Sequence, residues 1–259
     1  MNEELFVSRI QLREVPLEHS YPGCLPVVKN LARMEWLEFH RPVSFFVGEN
    51  GIGKSTLIEA IAVALGFNPE GGTLNFNFST CNSHSELYRY LSVWRTAKRR
   101  RDGFFLRAES FYNVASYVDE LDRIPAVAPP IIDSYGGVSL HRQSHGESFL
   151  ALVEKRFGGN GIYILDEPEA ALSPSRLMRL MVRMNELVKQ GSQFIISTHS
   201  PILMAFPNAE IYELTEDAIR SVSYYETEHF QITKQFVNHP EQMLCYLFSN
   251  EQEKGNEDL

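Results

Sequence analysis

The chain has 259 residues, 44% of them hydrophobic, with 24 basic and 33 acidic side chains and a net charge of −9. That length and apolar content suit one elaborated domain with a large buried core, and the acidic balance disfavours tight, non-specific binding to a nucleic-acid backbone. Cys24, Cys81 and Cys245 are scattered, the N-terminal MNEELFVSRI lacks a signal-peptide pattern, and no apolar run approaches the roughly 18 residues of a membrane helix. A cytoplasmic chain with no integral membrane segment is therefore expected.

In chain order, residues 5–47 read as short strands, carrying Phe6, Ile10 and Leu12 and then Trp36, Leu37 and Phe39 on either side of a proline-bounded loop at 16–26. The apolar run 43–47 fits a buried parallel strand, and 56–65 is apolar at helical spacing until Gly66 ends it. Leu87, Tyr90, Leu91 and Trp94 recur at i, i+3, i+4 and i+7, which predicts an amphipathic helix over 85–101. Further apolar strands are expected at 162–166 and 194–197. Between them Ser173 and Pro174 open a helix with Leu177, Leu180, Met181, Met184, Leu187 and Val188 along one stripe, stopped by Gly191. Segments 210–214 and 219–225 read as closing strands, and 230–248 as terminal helices.

Four motifs carry the chemistry. Residues Gly48, Glu49, Asn50, Gly51, Ile52, Gly53, Lys54 and Ser55 form a complete phosphate-binding loop between a strand and a helix that Thr56 continues. Its glycines let successive N–H groups face phosphate oxygens, the helix N-terminus adds positive dipole, Lys54 reaches the β- and γ-phosphates, and the Ser55 hydroxyl suits Mg²⁺. Asp166 and Glu167 end the second strand just before Pro168. Asp166 is placed for the metal and its water shell, Glu167 for orienting and deprotonating an attacking water. The third motif is Gln143-Ser144-His145-Gly146-Glu147-Ser148, ahead of apolar residues at helical spacing. A serine and a glycine at a helix start form an anion site, and Ser144 with Glu147 equally spells a capping box. The fourth is a strand running into Ser197-Thr198-His199-Ser200-Pro201, with a histidine at its C-terminal end.

With these motifs the chain resembles the ABC-type ATPase superfamily over roughly residues 30–225. Ser144, Gly146 and Glu147 match the family's Leu-Ser-Gly-Gly-Gln/Glu signature, whereas Gln143 and His145 depart from it. The signature serine precedes Asp166 by 22 residues, and His199 follows Glu167 by 32, close to the family arrangement. The resemblance implies an α/β P-loop NTPase core of ABC type, with an N-terminal antiparallel β layer and an inserted helical lobe. A single domain over 1–259 would have its core at 1–79 and 156–225, the lobe at 80–155 and C-terminal helices at 226–250. It implies ATP and Mg²⁺ as cofactors, Glu167 and His199 as catalytic residues, and a head-to-tail, ATP-dependent homodimer. In that dimer Ser144, Gly146 and Glu147 of one subunit meet the γ-phosphate held by the other. Glu109, in the region of the family's glutamine loop, is the nominee for a further metal-side ligand, with Asp133 and plain loop structure as alternatives. Ser173 stands where the family's next motif ends in aspartate.

Only 90 residues separate Lys54 from Ser144, too few for coiled-coil arms and with glycines and prolines interrupting them. The chain thus looks most like the small stand-alone predicted ATPases in which Asp-Glu-Pro-Glu runs on into Ala-Ala-Leu-Ser-Pro. Three functions follow as expectations: an ATP-driven dimerisation switch for an unknown partner protein, engaged through the helical lobe; a transporter's nucleotide-binding subunit; or an ATP sensor that scarcely hydrolyses. The basic run Lys98-Arg99-Arg100-Arg101, with Arg95 and Arg107 flanking, reads either as cations at a helix C-terminus or as a contact for nucleic acid or an acidic partner, the first being favoured. Tyr21 is the one nominee for stacking on adenine, against a simple turn before Pro22-Gly23.

Overall fold

The computed structural model describes residues 4–74, 85–107, 111–123, 129–142 and 144–254. The elements up to the phosphate loop are β1 (Val7–Leu12), α1 (Tyr21–Cys24), α2 (Pro26–Ala32), β2 (Leu37–Glu38) and β3 (Val43–Gly48). Next come α3 (Lys54–Ala64), β4 (Leu91–Arg95), β5 (Asp102–Arg107), α4 (Phe111–Leu121), α5 (His145–Lys155) and β6 (Gly161–Asp166). The chain closes with α6 (Pro174–Lys189), β7 (Gln193–Ser197), α7 (Pro201–Met204), β8 (Glu210–Leu214), β9 (Ile219–Val222), α8 (Glu228–Asn238) and α9 (Pro240–Lys254).

Six strands form the main sheet in the order β5-β6-β7-β3-β8-β9, parallel except for the β8–β9 pair. Every residue of β3, β6 and β7 is buried, as expected for parallel strands covered on both faces. One face packs under α4, α5 and α6 through residues such as Phe149, Leu152, Leu180 and Met184. The other packs under α3 and the N-terminal layer through Leu57, Ile61, Ile10 and Leu37. A smaller antiparallel sheet, β2-β1-β4, forms that layer. The fully buried Gln193 ties the two sheets together: its Oε1 accepts from the Phe6 and Val7 N–H groups at 2.8 and 2.9 Å, and its Nε2 donates to Val7 O.

The helix expected over 85–101 is not there. Residues Glu86–Arg89 make a single 3₁₀ turn, and Leu91–Arg95 is a strand paired with β1 from Leu12↔Leu91 to Val7↔Arg95. The four apolar residues that suggested a helix are divided between two elements. Leu87 is buried in the turn and Leu91 in the strand, whereas Trp94 lies half-exposed on the outer face, where the Arg9 guanidinium stacks on its ring. Pairing with β1 satisfies the backbone of this segment and overrides its local preference. β4 and β5 therefore sit in the two sheets and not in the helical lobe expected over 80–155; within the described residues its helices begin at Phe111.

The basic run has a structural use at a different helix from the one expected. Arg95 Nη2 donates to Ala64 O at 3.0 Å and Arg100 Nη2 to Leu65 O at 2.9 Å, capping the C-terminal carbonyls of α3, while Lys98 Nζ donates to Gly191 O beyond the end of α6.

Candidate nucleotide site

The site is built by strand register. Arg107 pairs with Asp166, and Asp166 with Ser197, at the C-terminal ends of β5, β6 and β7, while Phe46 of β3 pairs with the same Ser197 just before the phosphate loop. Adjacent parallel strands thus deliver their last residues to one crevice, the place where open α/β sheets bind ligands.

After β3 the chain turns through Gly48, Gly51 and Gly53 with φ of 140°, 83° and 102°. A β-carbon on Gly48 would sit 2.2 Å from Leu214 O, so close packing against β8 requires glycine there. At Gly51 no atom lies within 4 Å of that position, leaving the turn of the loop open. Lys54 is 4% exposed, and its Nζ donates to Gly48 O at 2.8 Å and Glu49 O at 2.7 Å. Burial lowers its pKa, opposed by the charges of Glu167, Asp166, Glu169 and Glu49, in that order. These carboxylates are therefore the electrostatic neighbours of the loop's lysine. Ser55 and Thr56 form the first turn of α3. The Tyr21 hydroxyl lies 3.4 Å from Thr56 Oγ1 with its residue 64% exposed, which sets an aromatic ring at the edge of the loop.

Asp166 is buried between a hydroxyl donor and a guanidinium cation. Ser197 Oγ–H donates to its Oδ1 at 2.5 Å, and Arg107 Nε lies 3.3 Å from its Oδ2. Arg107 Nη1 also contacts Glu59 Oε2 at 2.6 Å, so one guanidinium spans the carboxylates of α3 and β6. The next residue, Glu167, takes a left-handed backbone (φ 48°, ψ 56°), costly for a residue with a β-carbon and held by its N–H donating to Ser197 O at 3.1 Å. Its Oε1 is 3.7 Å from His199 Nε2.

The segment after β7 is fixed by Glu169, whose Oε1 accepts from Thr198 Oγ1 at 2.9 Å and from the His199 N–H. Burial raises the Glu169 pKa, against the pull of those hydrogen bonds. His199 Nδ1 lies 3.0 Å from Nε2 of His229 on α8. Burial, then the charges of Lys54 and His229, bring the His199 pKa down to about 4, so its ring is neutral near pH 7. Two buried atoms at the mouth of the site, Glu169 Oε2 and His199 Nε2, have no hydrogen-bond partner among the described residues. Orphaned polar atoms beside an open glycine loop are what a bound polar ligand would satisfy. The Ser55 hydroxyl and Asp166 carboxylate are hard oxygen donors that fit Mg²⁺.

The expected signature residues lie elsewhere, on the helical lobe. The Glu147 carboxylate accepts from Ser144 N–H at 3.0 Å and Oγ–H at 2.7 Å, which lowers its pKa, and it pairs with Arg176 of α6. A β-carbon on Gly146 would lie 2.4 Å from Arg176 Nη1 and 2.8 Å from Ala171 O, so glycine has a packing reason within one chain. Ser173 is the N-cap of α6, but its hydroxyl meets Ser175 Oγ rather than a helix N–H. Glu109 and Gln143 lie outside the described residues.

Sequence reasoning gives Arg107, Glu59, Glu169, Ser197 and His229 no role at this site, although it names Arg107 beside the basic run and Ser197 in the fourth motif. Two had a signal: Arg107 ends an apolar run just as Asp166 does, and Glu59 is a lone acid in a helix that is otherwise apolar beyond its first turn.

A parallel sheet whose central strand leads into a glycine loop and helix, with a carboxylate at the tip of the next strand but one, defines the P-loop nucleotide-binding class. Two family models match parts of the chain: "AAA domain" over residues 30–114, and "AAA domain, putative AbiEii toxin, Type IV TA system" over 138–205. Among curated proteins the chain is similar to an "Uncharacterized ABC transporter ATP-binding protein" of Haemophilus influenzae, 26% identical over 62% of this chain and 65% of that protein. It is also similar to the cytochrome c biogenesis ATP-binding export protein CcmA of Escherichia coli K12, 24% identical over 70% of this chain and 84% of that one. The alignment thus spans just under two thirds of the Haemophilus relative's length. Similar solved structures include an ATP-binding cassette of an ABC transporter (TM-score 0.49, 16% identity, 93% of this chain and 99% of that one). The SMC head domain from Thermotoga maritima is another (TM-score 0.44, 16% identity, 85% and 99%). In its motif set the chain is similar to ABC-type P-loop ATPases. Among the described residues, no helix is long and apolar enough to cross a membrane.

Proposed function

We propose that the chain binds ATP with Mg²⁺, hydrolyses it, and uses the cycle to dimerise and switch a partner protein. The observation that carries this reading is the convergence of Lys54, Asp166, Glu167 and His199 on one crevice at the C-terminal ends of adjacent strands.

Ser55 and Asp166 would hold Mg²⁺, which when bound neutralises charge on the phosphate oxygens. The Lys54 ammonium exchanges the Gly48 and Glu49 carbonyls for phosphate oxygens, and loop N–H groups donate to the same phosphates. Glu167 accepts a proton from the attacking water, its carboxylate set by the strained backbone at the strand tip. His199, neutral, donates through Nε2 toward the γ-phosphate.

Ser144 and Glu147 are exposed at the start of α5, Glu147 paired with Arg176 of α6, and their exposure supports a role toward a second subunit. Two such subunits related by a two-fold axis would complete each other's sites. The partner reading assigns the helical lobe as the docking element, and binding to nucleic acid is not favoured.

Glu167→Gln tests the proposal, since loss of a positioned base lowers turnover by about 10²–10⁴ while leaving ground-state binding largely intact. In phosphate-release and calorimetric assays it should bind ATP and scarcely consume it, and in light scattering it should dimerise on adding ATP·Mg²⁺. Adding Ser144→Arg should return that variant to monomer. Wild-type turnover in Glu167→Gln would place the base elsewhere, and a variant that stays monomeric with ATP would remove the dimer.

A further inference from the structure

We propose that His229, supplied by the C-terminal helix α8, is a positioning residue that fixes the tautomer and ring orientation of His199. The inference rests on the functional reading above and adds a residue from outside the four motifs.

A neutral imidazole has one donor and one acceptor nitrogen. His199 Nε2 faces the Glu167 carboxylate at 3.7 Å and, in the proposed cycle, the γ-phosphate. Both groups accept hydrogen bonds and neither donates, so useful contact requires the proton on Nε2. Nδ1 must then be the acceptor, and the group 3.0 Å from it, His229 Nε2, must be the donor. Held at this distance the two rings must take complementary roles, one donating and one accepting, so a proton on His229 Nε2 leaves His199 Nδ1 as the acceptor. The partner of one ring nitrogen sets the state of the other, and His229 is the partner observed here.

The placement of His229 is built rather than incidental. Thr227, fully buried, caps α8: its hydroxyl donates to Tyr224 O at 2.8 Å and accepts from the Phe230 N–H. Phe230 packs on the Tyr224 ring at 4.6 Å between centroids. Together they lock the first turn of α8, where His229 lies, against the body of the protein. The next residues, 231–242, are exposed. The rings of His199 and His229 are 5.1 Å apart and inclined at 55°, which suits an in-plane hydrogen bond and not a stack.

The test pairs a spectrum with kinetics on the full chain. Long-range ¹H–¹⁵N correlation spectra report which imidazole nitrogen is protonated, and the His199 signals are assigned by their loss in His199→Gln. The wild type should show the Nε2–H tautomer, and His229→Ala a mixture of both. His229→Ala should lose kcat by about ten- to a hundredfold, the scale seen when a group that orients a metal-bound histidine is removed, with KM for ATP within about threefold. His229→Gln, which keeps an N–H donor at similar reach, should recover most of kcat, a rescue that simple packing would not give. An unchanged His199 tautomer in His229→Ala, or equal kcat losses in the Ala and Gln variants, would overturn the assignment. Should the wild-type chain hydrolyse no ATP, the hydrolytic reading falls, and the imidazole spectra of wild type and His229→Ala alone uphold or overturn the role of His229.

Discussion

Replacing Arg107 with methionine keeps the apolar stem of the side chain and removes the guanidinium that spans Glu59 and Asp166. Both carboxylates are only 5% exposed, and the guanidinium contacts them at 2.6 and 3.3 Å while itself 23% exposed. Removing one partner of a buried ion pair costs roughly 3–5 kcal/mol, because the charge left behind has lost its solvent and its counter-ion. Two features place the cost near the low end. Ser197 Oγ still donates to Asp166, and the Ser85 N–H still donates to Glu59. Near 3 kcal/mol, and at roughly 2–4 °C per kcal/mol for a chain of this size, Tm should fall by about 6–12 °C in calorimetry or circular dichroism. Adding Glu59→Gln should restore part of the loss, since one orphaned charge is then gone. ATP·Mg²⁺ at a hundredfold excess over Kd should raise stability by about 2.7 kcal/mol in the wild type, and in Arg107→Met too if Asp166 keeps its place. A Tm within about 2 °C of wild type for Arg107→Met would refute the reasoning, showing that the guanidinium is not a structural counter-ion for these acids.

Lys54→Ala should remove most ATP affinity in calorimetry, since the loop then lacks its only buried cation among the described residues; unchanged binding would refute the site. Gly146→Ala should destabilise the chain by about 1–3 kcal/mol in urea unfolding, because its methyl group would meet the Ala171 carbonyl as well as the movable Arg176. His199 titrates near 4 in the fold against an ordinary 6.5, so the unfolded chain binds more protons between those values. Stability should therefore fall as pH drops through that window and be unaffected by this group above it, and His199→Gln should flatten the dependence in urea titrations.

The phosphate loop, the Asp166–Glu167 pair and the His199 strand were legible because each is a local pattern, a short apolar run ending in a particular polar residue. Local pattern misled at 85–101, where four apolar residues at helical spacing are shared between a 3₁₀ turn and a strand. What decides that segment is an edge of β1 some 80 residues away, and nothing within the window reports it. The same limit hid the residues that hold the site in shape. Arg107 reaches Asp166 because β5 lies beside β6 in register, and His229 reaches His199 because a helix after the last strand packs against α7, just beyond β7. Sequence displays the groups that would touch the nucleotide, because phosphate chemistry constrains their type and spacing together. The groups that orient them need only arrive at the right distance from any part of the chain, so their spacing is free. Here one arrives from β5 at the sheet's edge and another from α8, beyond the last strand, so neither spacing could have announced it.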